Sequence, residues 1–229
     1  MRVTWLGHSA LHIEAAGRSI LVDPFFTGNP TFPAGWDARL QSVDWIVVTH
    51  GHDDHLGDTV RLARAHGATV VGSFEVCSFV GGQGVTRIEP MNIGGSIDSG
   101  GVRFSMVRAH HSAATIRDGV PVYLGNPAGF VISVDGRSLY HAGDTDLFSD
   151  MSLIQRLHRP DLACLPIGDR FTMGPETAAI ACNEFLDVPQ ILPIHWGTFG
   201  LLTGTPDAFA ARVERGRVLR PRPGEPVEI

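Results

Sequence analysis

Residues 49–55 read Thr-His-Gly-His-Asp-Asp-His and contain the pattern H-x-H-x-D-H. They follow residues 45–48, a continuously apolar run that predicts a strand buried on both faces. Imidazole and carboxylate are ligands that divalent transition metals accept, and a tight turn after a strand directs several of them into one cleft. The pattern therefore predicts a metal site at the end of this strand, built from His50, His52, Asp54 and His55.

Further candidate ligands follow three other predicted strands. His110 and His111 come after residues 104–107, Asp144 comes after residues 138–140, and His195 comes after residues 191–194. Loops at the carboxyl ends of strands are where sheet-based folds place their functional side chains. These residues supply the additional donors that a site for two metal ions needs.

The amino-acid composition excludes several classes of protein. Apolar residues make up 43% of the 229 residues, which is enough for a sizeable core, and the net charge is −6. All 18 basic residues are arginine, and no basic face of the kind that nucleic-acid binding needs is evident. The absence of lysine also excludes Schiff-base chemistry. The three cysteines, Cys77, Cys164 and Cys182, are widely spaced among apolar neighbours, which indicates buried thiols rather than a disulfide framework.

Neither a membrane span nor an export signal is evident. No stretch reaches the roughly 18 consecutive apolar residues of a spanning helix, and residues 1–5 do not lead into a secretory apolar region. We therefore expect a cytoplasmic protein with no membrane partner. Charged residues make up only 18% of the chain, a neutral surface that suits a homo-oligomer.

The pattern of apolar segments predicts one α/β domain over residues 1–229. Alternating residues near the start predict an antiparallel meander, and Asp135-Gly136 predicts a hairpin within a glycine-rich, strand-like middle. Helices are predicted over residues 58–66, 151–157, 175–185 and 206–215. The strands come in two batches, each followed by helices, so we expect a four-layer αββα sandwich.

The ordered set of H-x-H-x-D-H, a later His, a later Gly-Asp and a final His resembles the metallo-β-lactamase superfamily over essentially the whole chain. The finer resemblance is to uncharacterised bacterial metal-dependent hydrolases related to ascorbate-6-phosphate lactonases. It is carried by residues 7–9, 23–25, 49–57, 91–95, 140–148, 165–175 and 193–195. The resemblance implies an αββα sandwich with a two-metal cleft between the sheets.

The resemblance also implies a distribution of ligands. His50, His52 and a later His would bind the first metal ion, while Asp54, His55 and His195 would bind the second. Asp144 would bridge the two ions. Related proteins have a single His followed by Ser at the later position, which favours His111 over His110 as the ligand.

Several polar residues near these motifs have two interpretations each. His8, in a Gly-His-Ser turn, is either structural or a catalytic group that contacts substrate or donates a proton. Asp23 either orients a ligand imidazole or caps a turn, and His141 is expected to hydrogen-bond rather than bind metal. Asp58 is interpreted as a helix cap, and Asp53 is expected to point away from the site.

The function that these residues predict is hydrolysis of a small ester, lactone or phosphoester. Two divalent cations, Zn or Mn first and Fe, Co or Ni also compatible, would make hydroxide available, and Asp54 would accept a hydrogen bond from it. The alternatives are a phosphodiesterase or nuclease acting on nucleotides, a metal-dependent oxidoreductase of the same fold, and a metal-binding protein without activity. Candidate pocket residues are Phe25, Phe26, Trp36 and the loop over residues 167–174, in which Arg170 would favour an anionic substrate.

Overall fold

Two mixed β-sheets of seven strands each form the centre of the fold in a computed structural model that describes residues 1–229. With strands numbered in chain order, the first sheet contains, from edge to edge, β16 (Pro226–Glu228), β1 (Arg2–Trp5), β2 (Leu11–Ala15), β3 (Arg18–Val22), β4 (Trp45–Val47), β5 (Thr69–Ser73) and β6 (Ile88–Met91). The second sheet contains β15 (Arg217–Val218), β14 (Gln190–Ile194), β13 (Leu162–Pro166), β12 (Arg137–His141), β11 (Ala128–Val134), β8 (Val102–Arg108) and β7 (Ser96–Ser99). A separate hairpin is formed by β9 (Ala114–Arg117) and β10 (Val120–Tyr123).

Helices cover the outer face of each sheet, which gives the predicted αββα order. They are α1 (Asp53–Leu56), α2 (Thr59–His66), α3 (Phe74–Gly82), α4 (Met151–His158), α5 (Pro175–Ile180), which continues as a π-helical turn (Ala181–Phe185), and α6 (Pro206–Ala210). A 3-10 turn covers Asp37–Arg39. None of these helices has the length and apolar character needed to cross a bilayer.

The two faces of the central strands are both buried, which explains their continuous apolar sequences. In β3, Ile20 and Val22 belong to the core between the sheets, whereas Leu21 belongs to the core under α2 and α3. In β13, Cys164 lies between the sheets and Ala163 lies under α4 and α5. Successive side chains of a strand point to opposite faces, so three apolar layers alternate with four layers of secondary structure.

Strand direction brings the ends of six strands to one edge of the sandwich. In the first sheet β1, β3 and β4 run the same way, and in the second sheet β8, β12 and β14 run the same way. Backbone hydrogen bonds join the two sheets at this edge. The N–H of His195 donates to the carbonyl of His8, and the N–H of Ala128 donates to that of Thr49.

The meander and the hairpin are confirmed, but two helices differ from expectation. Helix α3 lies in a region interpreted as strand-like. It begins because the Ser73 hydroxyl accepts a hydrogen bond from the N–H of Val76, and it buries Val76, Cys77 and Val80. Helix α6 ends at Ala210 instead of residue 215, because Asn183 hydrogen-bonds the backbone of Arg212 and Glu214 and holds that segment in a turn.

Asp58 occupies the predicted cap position, but its side chain does not cap the helix. Asp58 lies at the N-cap position of α2, but its carboxylate makes no capping bond. It accepts hydrogen bonds from the N–H groups of Phe26 and Thr27, from the Thr27 hydroxyl and from Arg61. The side chain therefore ties the loop after β3 to the start of α2. Burial alone would raise the pKa of this carboxyl, but the Thr27 and Arg61 bonds lower it.

We predict that Asp58→Asn lowers the free energy of unfolding by about 2 kcal/mol at pH 7, because the amide cannot accept all four bonds. Since the pKa of Asp58 is lower in the folded chain, its contribution is complete above the unfolded value of about 3.9 and is lost as the pH falls further. Denaturant unfolding of both proteins between pH 3 and pH 7 measures this. Asp150→Asn, at the N-cap of α4 without a side-chain bond, is the control; equal stability of Asp58→Asn and wild type at pH 7 would contradict the prediction.

Candidate metal centre

The residues predicted from the sequence come together where the six strands end. His8, Asp23 and residues 50–55 follow β1, β3 and β4, and His111, Asp144 and His195 follow β8, β12 and β14. Three of these residues have left-handed backbone conformations: φ is 53° at His8, 44° at Asp23 and 55° at His195. Left-handed conformations are uncommon in residues other than glycine, and the backbone strain that they cause is concentrated at functional sites.

The potential ligands form two groups. Within each group, the donor atoms all lie within 4.8 Å of one another. One group contains four residues from the H-x-H-x-D-H turn and the second sheet: His50, His52, His111 and Asp144. The other contains His8, Asp54, His55 and His195. All seven residues predicted as metal ligands are therefore in the two groups, together with His8, which was predicted as a catalytic or structural residue.

Asp144 lies between the two groups. Its Oδ2 atom is 3.0 Å from Nε2 of His195, 3.3 Å from Nε2 of His55 and 3.6 Å from Nε2 of His111. The carboxylate is almost completely buried, and burial alone would raise its pKa. The facing imidazoles of His195 and His55 instead hold that pKa well below its usual range. The carboxylate is therefore charged and requires positive charge beside it.

A hydrogen-bond chain fixes which nitrogen of two histidines carries the proton. The Thr49 hydroxyl donates to Asp23, so its oxygen accepts from Nδ1–H of His50 at 3.0 Å. Asp23 also accepts from Nδ1–H of His55 at 2.8 Å. The Nε2 atoms of His50 and His55 consequently face the site, as in a metal-ligating imidazole whose far nitrogen is held by a carboxylate or hydroxyl.

The donor atoms of the site fit a cation. Nε2 of His55 and Oδ1 of Asp144 are buried and have no hydrogen-bond partner in the protein. Burial would lower the pKa of His55, but the carboxylates of Asp144 and Asp23 raise it well above 6.5. This point of the structure thus favours a positive charge, which either a proton or a metal ion provides. Neutral imidazole with carboxylate is also a donor set that Zn²⁺ and Mn²⁺ accept.

His8 links the site to the loop after β14. Its ring contacts the Thr198 hydroxyl through Nδ1 at 2.9 Å and the Asp54 carboxylate through Nε2 at 3.0 Å. Burial, the largest effect, lowers the pKa of His8 to about 4. A neutral imidazole has only one N–H group. Because the ionised Asp54 carboxylate can only accept a hydrogen bond, that N–H lies on Nε2 and donates to Asp54, and Nδ1 accepts from the Thr198 hydroxyl. Asp54 is charged, since His55 and His8 lower its pKa although burial raises it.

Other candidate residues lie outside the two groups. His110 stacks on Phe148 with ring centroids 4.8 Å apart, so of the two adjacent histidines only His111 faces the site. His141 accepts a hydrogen bond from the N–H of Gly143 and donates to the carbonyl of Ser9 across the sheets. Asp53 points away and binds Thr115 and Arg117 of the β9–β10 hairpin.

The predicted pocket lining needs correction, and two contacts were missed. Phe26 and Trp36 pack in the core under α2, so neither lines a cleft. Thr49 and Thr198 were not among the predicted site residues. Thr49 directly precedes the ligand motif, so its position in the sequence points to the site. Thr198 contacts His8 from 190 residues away, and no sequence signal joins the two.

Comparison with known proteins agrees with this architecture. Residues 18–196 match the family model described as Beta-lactamase superfamily domain. A UPF0173 metal-dependent hydrolase of Chelativorans sp. (strain BNC1) is 45% identical over 234 residues, covering 100% of both chains. A second UPF0173 metal-dependent hydrolase, from Methylocella silvestris, is 49% identical over 212 residues, covering 92% of this chain and 91% of the relative.

A solved structure is similar over the same length. Igni18, a metallo hydrolase from the hyperthermophilic archaeon Ignicoccus hospitalis, superposes with a TM-score of 0.88 at 33% identity, covering 99% of this chain and 97% of Igni18. The chain therefore belongs to the beta-lactamase superfamily and, within it, to the UPF0173 metal-dependent hydrolases.

Cysteine chemistry plays no part in the site. Cys77, Cys164 and Cys182 are free and buried. Burial raises the pKa of Cys77 to about 12 and that of Cys182 to about 12, and it raises the pKa of Cys164 further. A thiol with so high a pKa contains almost no thiolate at neutral pH and is a poor nucleophile.

We predict that none of the three thiols of the folded protein reacts with 5,5′-dithiobis(2-nitrobenzoate) on the time scale of free cysteine at pH 8. All three are expected to react once the chain is unfolded in guanidinium chloride, which serves as the internal control. Rapid release of one chromophore per folded chain would contradict the burial described here.

Proposed function

We propose that this chain is a hydrolase that uses two divalent metal ions to cleave a small ester, lactone or phosphoester. The observation that carries the proposal is the position of Asp144, whose Oδ2 atom faces histidines of both ligand groups at 3.0 to 3.6 Å. His50, His52 and His111 would hold one ion, Asp54, His55 and His195 the other, and Asp144 would contact both.

Metal ions held there would supply Lewis acidity, which makes water a nucleophile near neutral pH without a serine or cysteine. Side chains of the protein supply and orient the charged groups around such ions. Asp54 is ionised, and it is positioned to accept a hydrogen bond from the attacking water. His8 donates its one N–H to Asp54 and is itself held by Thr198, so it acts by positioning that carboxylate. His8 is thereby assigned to orientation rather than to proton donation.

A small-molecule substrate is favoured over a nucleic acid. The chain has a net charge of −6 and no lysine, so it offers little general attraction to a polyanion. Zn²⁺ and Mn²⁺ are proposed as the native ions because imidazole and carboxylate suit both. No feature of the site favours the metal-dependent oxidoreductase alternative over hydrolysis.

We predict that the purified protein holds about two metal ions per chain and that Asp144→Ala lowers this number and abolishes hydrolysis together. The reason is that the substitution removes the carboxylate that faces both groups. Elemental analysis and a hydrolysis assay on the same samples measure the two quantities. Asp146→Ala removes an exposed carboxylate two residues away and should change neither. An Asp144→Ala protein with full metal content and turnover would contradict the assignment.

We predict that His8→Ala lowers kcat by about tenfold to a hundredfold while the metal content stays near two per chain, because only the orientation of Asp54 is lost. Steady-state kinetics on a lactone, an aryl ester and a phosphodiester, with metal analysis of each preparation, test this. Thr198→Val should produce a smaller decrease in the same direction. Loss of metal from His8→Ala would instead assign His8 as a ligand.

A further inference from the structure

A cleft of about 510 Å³ opens beside the candidate metal centre. Asp54 contributes to its lining, so the cleft and the second ligand group share one side chain. Apolar side chains contribute as well, namely Phe25, Leu56 and Phe199. A molecule that reaches Asp54 through this cleft therefore touches apolar surface immediately beside the site.

Two phenyl rings pack against His8 at the boundary between cleft and metal centre. The centroid of the Phe25 ring lies 5.7 Å from that of His8, the centroid of Phe199 lies 5.4 Å from it, and both rings approach edge-on. The two phenyl rings are 6.3 Å apart. Phe199 is 39% exposed although it lies against the site. A substrate group that covers this ring gains hydrophobic free energy on binding.

The charged side chains of the cleft are already paired. The guanidinium of Arg117 binds Asp53 at 3.3 Å and lies 5.2 Å above the ring of Phe79. Asp58 is bound by Thr27 and Arg61. Arg170, predicted from the sequence to favour an anionic substrate, is exposed over its neighbour Phe171 and does not line the cleft. The one cation of the cleft, Arg117, is therefore already engaged by Asp53, and the apolar part of the lining is largely aromatic.

We propose that Phe199 and Phe25 are specificity-determining residues that select substrates with an aryl or bulky apolar group next to the bond that is cleaved. This inference rests on the proposed hydrolysis. In that reaction the water oxygen bonds to the carbonyl carbon of a lactone or ester, the bond from that carbon to the ring or ester oxygen breaks, and the departing oxygen takes a proton that the water has lost. The apolar substituent lies against Phe199 and contributes binding free energy without taking part in the bond changes.

The first test compares γ-phenyl-γ-butyrolactone with γ-butyrolactone, which differ only in the phenyl group. The metal-loaded wild type is expected to have a kcat/KM about tenfold or more higher for the phenyl lactone. Phe199→Ala should lower kcat/KM by a larger factor for the phenyl lactone than for the small lactone and so remove most of that preference, and Phe199→Leu should restore part of it. Phe171→Ala, which removes a ring that is 50% exposed and outside the cleft, is the matched control.

A second test needs no turnover, and it separates failure of this inference from failure of the proposed function. Phenylacetate is expected to bind the metal-loaded protein about tenfold more tightly than acetate in isothermal titration, and Phe199→Ala should abolish the difference. If neither lactone is cleaved but this difference is observed, the aromatic subsite stands and lactone hydrolysis is wrong. Equal affinities in the wild type, or a preference that survives in Phe199→Ala, would overturn the subsite.

Discussion

The carboxylate of Asp144, buried among three imidazoles, is the interaction on which the rest of the site depends. A buried charge without a partner costs several kcal/mol, so the surroundings of this group must provide positive charge. His55 and His195 approach it from opposite sheets of the sandwich. The two sheets are therefore joined at this edge by electrostatics as well as by the apolar core between them.

Backbone geometry and polar bonds hold that arrangement in place. Asp23 and His195 directly after a strand, and His8 three residues after one, adopt left-handed conformations, and the His195 N–H donates to the carbonyl of His8. Asp23 is fully buried and is bound at both oxygens by Thr49 and His55. The bond from His55 to the buried Asp23 limits rotation of that imidazole and keeps its Nε2 atom aimed into the site.

The sequence predicted the fold class because both faces of the central strands are buried and the motif residues follow strand ends. The four layers, the opening meander and the hairpin at Asp135-Gly136 could all be predicted in this way. Helix α3 could not be predicted, because its sequence, with two glycines and two valines, has only a weak helical pattern and its start depends on the Ser73 cap. The role of Asp58 depends on a loop 31 residues away, which local patterns do not contain.

The same distinction applies to the site. Its histidines and carboxylates are identifiable because their residue types and spacing carry the chemistry. The contact of His8 with Thr198, the stacking of His110 on Phe148 and the wall formed by Phe25 and Phe199 depend on packing between distant segments. Phenylalanines in particular look alike in sequence whether they fill a core, as Phe26 does, or face a cleft.

The most direct test of the proposed two-ion centre is a crystal structure of the metal-loaded protein with anomalous diffraction measured at the absorption edge of the ion. Two anomalous peaks are expected. One peak would touch His50, His52 and His111, the other would touch Asp54, His55 and His195, and Asp144 would lie in contact with both. A single peak, or peaks away from Asp144, would contradict the proposed two-ion centre.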